Sequence, residues 1–117
     1  MVASNKIVSK IADTLTATIA ISTTTSAAVD LGGASMAGLI MPAAFTGTTI
    51  SFTVSDTLDG TYVALKNTAG TTISFTVAAS TAIGFAPNDF AAWRYIKIVS
   101  GSTELAGRAI KIIPRIA

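Results

Sequence analysis

The sequence predicts an all-β protein, an antiparallel β-sandwich or a jelly-roll-like barrel of about eight strands. Three observations carry that expectation. Apolar and hydroxyl side chains alternate with a period of two in several segments, the mark of half-buried strands. These segments recur at roughly 8–12-residue spacing with turn residues between them. No strand–helix alternation appears, so a parallel α/β sheet is not expected.

The clearest segment is Gly47–Lys66. Ile50, Phe52 and Val54 alternate with Thr49, Ser51, Thr53 and Ser55, giving one apolar and one hydroxyl-rich face. Asp59-Gly60 offers the turn, since both residue types tolerate positive φ. Tyr62, Val63 and Leu65 then return as the second arm of a hairpin. The octapeptide Gly-Thr-Thr-Ile-Ser-Phe-Thr-Val occurs at Gly47–Val54 and again at Gly70–Val77. It is too short for a solenoid repeat, and reads as one amphipathic strand used twice.

The other elements follow in order. Ile7, Val8 and Ile11 give residues 1–14 a short apolar stretch that fits either a helix capped by Ser4 or Asn5 or an extended arm. Residues 15–117 form the single β-domain. Leu15, Ala17, Ile19 and Ile21 alternate with Thr and Ser as a first strand. Thr23–Ser26 breaks it, and Ala27–Leu31 is a short second strand. Gly32-Gly33 is a turn. Met36–Met41 is an apolar strand closed by Pro42, which has no N–H to donate. After the repeat, Ile83–Ala92 reads as a loop with room for one helical turn. In Trp93–Ser100, Arg94, Ile96 and Ile98 share one face, and Trp93, Tyr95, Lys97 and Val99 the other. Arg108–Ile113 is the last strand, stopped by Pro114.

Composition narrows function. Only 12% of residues are charged, about half the usual share, and Thr and Ser fill the polar positions. So low a charge protects poorly against association, which points to surfaces buried against other copies or a larger assembly, with a Thr-rich soluble sandwich as the alternative. The eight basic residues are scattered and the net charge is +2, too little for a phosphate-tracking surface, so no nucleic acid is expected. Arg108, Lys111 and Arg115 read as a solvated strand edge. The absence of Cys and His removes thiolate sites, the usual general base and the commonest metal ligand. No run reaches the ~20 apolar residues of a membrane span, and the first residues lack a signal-peptide core.

Candidate chemistry is sparse. Asp56-Thr57-Leu58-Asp59-Gly60 has two carboxylates that a calcium ion could use, yet lacks the six to eight oxygens of a calcium site and reads as a hairpin loop. Asp89 with Arg94, or Glu104 with Arg108, offers a salt bridge or a sugar-binding pair, against the plainer reading of a surface ion pair worth at most ~1 kcal/mol. Ser and Thr hydroxyls have no evident activator. No catalytic residue, metal or cofactor is expected. Trp93, Tyr95 and Lys97 on one strand face form either an interface or stacking platform or part of an aromatic core layer.

The order Leu31-Gly32-Gly33, Gly38-Leu39-Ile40-Met41-Pro42, Phe45-Thr46-Gly47 before Ile50–Ser55, Asp59-Gly60-Thr61-Tyr62, the Gly70 turn, Pro87 ahead of Phe90, Tyr95–Gly101 and Arg108-Ala109-Ile110 resembles small β-rich virion structural proteins of tailed bacteriophages. The likeness covers roughly residues 15–115 and lies in the order of weak motifs. It implies a non-enzymatic capsid decoration (cement) protein, commonly a homotrimer at local threefold points of the shell, with the major capsid protein as partner. The location it implies is the virion, after synthesis in the host cytoplasm. A tail or head-spike module that binds a host receptor or glycan is the alternative. Ile7, Val8 and Ile11, with Trp93, Tyr95 and Lys97, are the expected contact residues.

Overall fold

The computed structural model of the protein describes residues 14–115. Nine strands and one helical turn follow along the chain: β1 (Leu15–Ile19), β2 (Val29–Asp30), β3 (Ser35–Ile40), β4 (Thr49–Ser55), β5 (Val63–Ala64), β6 (Ser74–Thr76), β7 (Ala82–Gly84), α1 (Pro87–Phe90), β8 (Tyr95–Ser100) and β9 (Arg108–Arg115). They build two antiparallel sheets. One has the order β1-β9-β3-β7. The other runs β2-β8-β4-β5, with β6 sharing the β5 side of β4. Of the two architectures expected, this is the β-sandwich.

Alternation dictates which side chains meet between the sheets. Ala17, Ile19, Met36, Leu39, Ile110 and Ile112 point inward from the four-stranded sheet. Val29, Ile50, Phe52, Val54, Ile96 and Ile98 answer from the five-stranded one. Each large side chain so buried contributes roughly 1.5–3 kcal/mol. Phe52 sits at the centre, with edge-on contacts to Phe75, Phe85 and Phe90 at centroid distances of 6.0, 5.8 and 5.1 Å.

The two octapeptide copies pair with each other. Thr49 faces Thr76, Ile50 faces Phe75, and Ser51 faces Ser74. Ser51 and Ser74 hold the same place in their copies, and the pairing of the copies ends there: beyond it the Leu65 N–H donates to the Phe52 carbonyl and Thr53 faces Ala64. The same packing demand explains the shared sequence: both copies send their Ile and Val inward. The environments still differ, because Phe52 is fully buried while Phe75 is half-buried. The β4 copy has β8 on its other side, whereas β6 pairs only with β4.

A buried carboxylate ties three segments together. Glu104 is fully buried. Its Oε1 accepts from Arg108 Nε at 2.8 Å and from the Thr46 N–H at 3.1 Å. Its Oε2 accepts from the Thr46 hydroxyl and the Gly47 N–H, each at 3.0 Å. Burial pushes the carboxyl up, but these donors, Arg108 foremost, outweigh it and hold it below its ordinary range. The turn is tight at Gly47, where a Cβ would lie 2.5 Å from Ser100 Oγ and 2.9 Å from the Phe45 ring. The surface ion pair expected at Glu104–Arg108 is therefore an interior one. The chain after β8 folds inward at Glu104, and the i,i+4 spacing gave no sign of that.

Other expectations also change. The first strand stops at Ile19, and Ile21 is 60% exposed. Strand β9 begins at Arg108, opposite Ile19, so Ile21 has no partner to cover it. Ser22, at φ 63°, turns the chain there. Strand β9 lies between β1 and β3, so Arg108, Lys111 and Arg115 belong to an interior strand and not an edge. Pro114 lies within β9, opposite Met36, where a register shift in β3 between Met36 and Gly38 accommodates it. Gly60 does not adopt positive φ; among the described residues Gly32 and Gly70 are the glycines that do. The loop from Asp56 to Tyr62 closes the β4–β5 hairpin instead of a two-residue turn. Strand β7 was not expected; it is three residues long and ends in Gly84. The helical turn allowed after Ile83 is α1. The arm residues Ile7, Val8 and Ile11 lie outside the described residues.

Candidate functional site

Strand β8 organises the most chemically distinctive part of the surface. Ile96 and Ile98 point into the core, which turns Tyr95, Lys97 and Val99 to the outer face, where all three are half-buried. Pairing with β4 sets Tyr95 opposite Ser55, Lys97 opposite Thr53 and Val99 opposite Ser51. Pairing with β2 sets Asp30 opposite Tyr95. Lys97 Nζ stands 4.3 Å from the centre of the Tyr62 ring, and the Arg94 guanidinium lies 5.1 Å from that of Tyr95.

Trp93 does not continue this face. Its N–H donates to the Phe90 carbonyl at 3.2 Å, in the turn that follows α1. The strand starts two residues later, so alternation no longer governs Trp93, and its side chain packs against the core. The same break parts Arg94 from Ile96 and Ile98, whose face it was expected to share. Arg94 reaches outward and grips Asp30 through Nε–Oδ1 at 2.7 Å and Nη2–Oδ2 at 3.1 Å. The Arg94 hydrogen bond holds the Asp30 carboxyl below its ordinary range, helped by the Gly32 N–H. Asp30 in turn raises the guanidinium. The Tyr62 hydroxyl is pushed up, first by burial and then by the nearby Asp59 carboxylate; it donates to the Leu58 carbonyl at 2.9 Å. The pairing expected between Asp89 and Arg94 does not form.

The outer face of the five-stranded sheet is otherwise hydroxyl-rich. Thr49, Ser51 and Thr53 from β4 lie beside Ser74 and Thr76 from β6. Thr53 is the exception to good solvation: its Oγ1, set between Lys97 and Ala64 in the pairing, is buried without a hydrogen-bond partner. Asp56 and Asp59 both sit in the exposed β4–β5 loop. Among the described residues, no three Asp, Glu, His or Cys side chains gather as a metal set.

The chain has one Trp and two Tyr; both Tyr lie in this neighbourhood with Asp30, Arg94 and Lys97, while Trp93 adjoins it in the chain and turns to the core. The sequence placed Trp93, Tyr95 and Lys97 here but not Tyr62 or Asp30. Asp30 is 64 residues from Arg94, and only the β2–β8 pairing brings them together. Comparison with known protein families, curated proteins and solved structures gave no match.

Proposed function

We propose that this protein is a structural component of a tailed-bacteriophage virion, a capsid decoration protein that binds the outer shell as a homotrimer and stabilises it. It acts by contact and not by catalysis. The observation that carries this reading is the gathering of Tyr95, Tyr62, Arg94 and Lys97 at one part of a surface otherwise clothed in Ser and Thr. Trp, Tyr and Arg dominate the energetics of protein contacts. The low share of charged residues suits a surface that is covered in use. The resemblance drawn from the order of Gly, Pro and aromatic residues supplies the particle. Ile7, Val8 and Ile11 add a second contact, and closed symmetry is the default for such assemblies.

The test has two arms. Light scattering on a sizing column gives the native mass, which is expected to be that of a trimer. Co-sedimentation with undecorated shells is expected to succeed for the intact protein and to weaken at least about tenfold for Tyr95→Ala combined with Lys97→Ala, as loss of interface anchors does. A monomer that ignores shells would sink the reading. Unchanged binding by the double variant would remove this face from it, and unchanged binding after deletion of residues 1–14 would remove the arm.

A further inference from the structure

A cleft of ≈ 210 Å³ opens between the Gly32–Ser35 turn and the Ala91–Arg94 segment. We infer that this cleft binds a single neutral sugar ring, with Trp93 as its apolar wall and Arg94 as its polar rim, the Arg94 charge being offset by Asp30 just outside the lining. The proposal does not rest on the capsid role: the cleft shares Arg94 with that surface but not Tyr95, Lys97 or Tyr62.

Four features point to that ligand class. The size falls below the roughly 300–1,000 Å³ of sites for drug-sized molecules, so it suits one ring and excludes a stacked chain. The lining is mostly Gly and Ala, and a Cβ added at Gly33 would meet nothing within 4 Å, so the turn has room for a side chain beside the cleft. Trp93 packs against the core and also lines the cleft. It is thus a fixed aromatic body, able to meet the apolar C–H face of a pyranose at little cost in side-chain entropy. The rim then selects hydroxyls over anions. Arg94 engages Asp30 through Nε and Nη2, and its Nη1 makes no hydrogen bond among the described residues. Pairing with Asp30 offsets the Arg94 charge at a distance, yet leaves a donor on Arg94 at hand. A ring hydroxyl can accept from that donor, whereas a free carboxylate or phosphate would be opposed by Asp30 behind it.

Because Trp93 is the only Trp, its fluorescence reports this site alone. The full chain is titrated with methyl glycosides of glucose, galactose and N-acetylglucosamine, and with glucuronate. At least one neutral glycoside is expected to give a saturable change at about millimolar concentration, the range open to a ligand of so few atoms. Backbone amide shifts are expected to centre on Gly33, Ala34, Ala91 and Ala92. Gly33→Leu fills the space without touching the core and is expected to abolish binding. Trp93→Phe, read by the amide shifts, is expected to weaken it at least about threefold. No saturable change with any neutral glycoside overturns the proposal. Tighter binding of glucuronate overturns the ligand class. Full binding by a folded Gly33→Leu overturns the location.

Discussion

Arg108 donates from Nε to Glu104 Oε1 at 2.8 Å, and this contact closes a carboxylate that is wholly out of solvent. The arrangement holds the β8–β9 connection against the Thr46-Gly47 turn that leads into β4. Removing the carboxylate charge should therefore cost far more than a surface pair. Glu104→Gln is expected to destabilise by about 3 kcal/mol, because Arg108 is left buried beside a neutral amide. Urea unfolding should show a lower midpoint at unchanged slope.

The same group sets an acid limit. Its carboxyl titrates lower in the folded protein than its ordinary value of 4.5, so the unfolded chain takes up the proton first. The stabilisation is complete above about pH 4.5 and is lost as pH falls through the lower, folded value. Asp30 is shifted in the same direction but is well exposed, so its part is small. Unfolding midpoints measured from pH 7 down to about 3 should decline in the intact protein. They should decline less in Glu104→Gln.

Gly38 and Gly84 face each other across β3 and β7, yet they should respond oppositely to Ala. A Cβ at Gly38 would lie 2.9 Å from the Ile83 carbonyl oxygen, whereas one at Gly84 meets nothing within 4 Å. Gly38→Ala should cost about 1–3 kcal/mol as β7 is pushed aside. Gly84→Ala should be neutral or stabilise by up to about 1 kcal/mol by restricting the unfolded chain. Thermal melts of the two single variants check the contrast.

The repeat offers an internal control. Phe52 and Phe75 hold the same place in identical octapeptides, but only Phe52 is fully buried with three aromatic neighbours. Phe52→Ala should cost about 3–5 kcal/mol, and Phe75→Ala should cost less. Equal losses in denaturant melts would mean that the aromatic group is not centred on Phe52.

Thr53→Val should stabilise by about 1 kcal/mol, since it removes a buried hydroxyl oxygen that lacks a partner and keeps the shape. A destabilised variant in urea unfolding would reveal a partner for that oxygen.

The sandwich was legible in the sequence because alternation is a local signal. Ile50-Phe52-Val54 and Ile96-Ile98 show inward faces at a glance, and each strand keeps that face once paired. What was not legible depended on where pairing stops. Ile21 continues the alternation of β1 but has no strand opposite it, and Arg94 and Trp93 fall just before β8 begins. Glu104 was hidden for a different reason. Its partners Thr46 and Gly47 lie 58 and 57 residues away, and nothing local distinguishes a carboxylate about to be enclosed from one left in water. Of the candidate site, Trp93, Tyr95 and Lys97 could be picked out as unusual residues, whereas Asp30 and Tyr62 joined them only through the sheet.

The meeting of Ser51 and Ser74 marks where the two copies stop covering each other's backbone. Strand β6 pairs with β4 on one side and with no strand on the other among the described residues, so its outer N–H and C=O groups lie on a sheet edge. At three residues with Ser74 and Thr76 exposed, that edge is short and polar, a form that recruits neighbouring chains poorly.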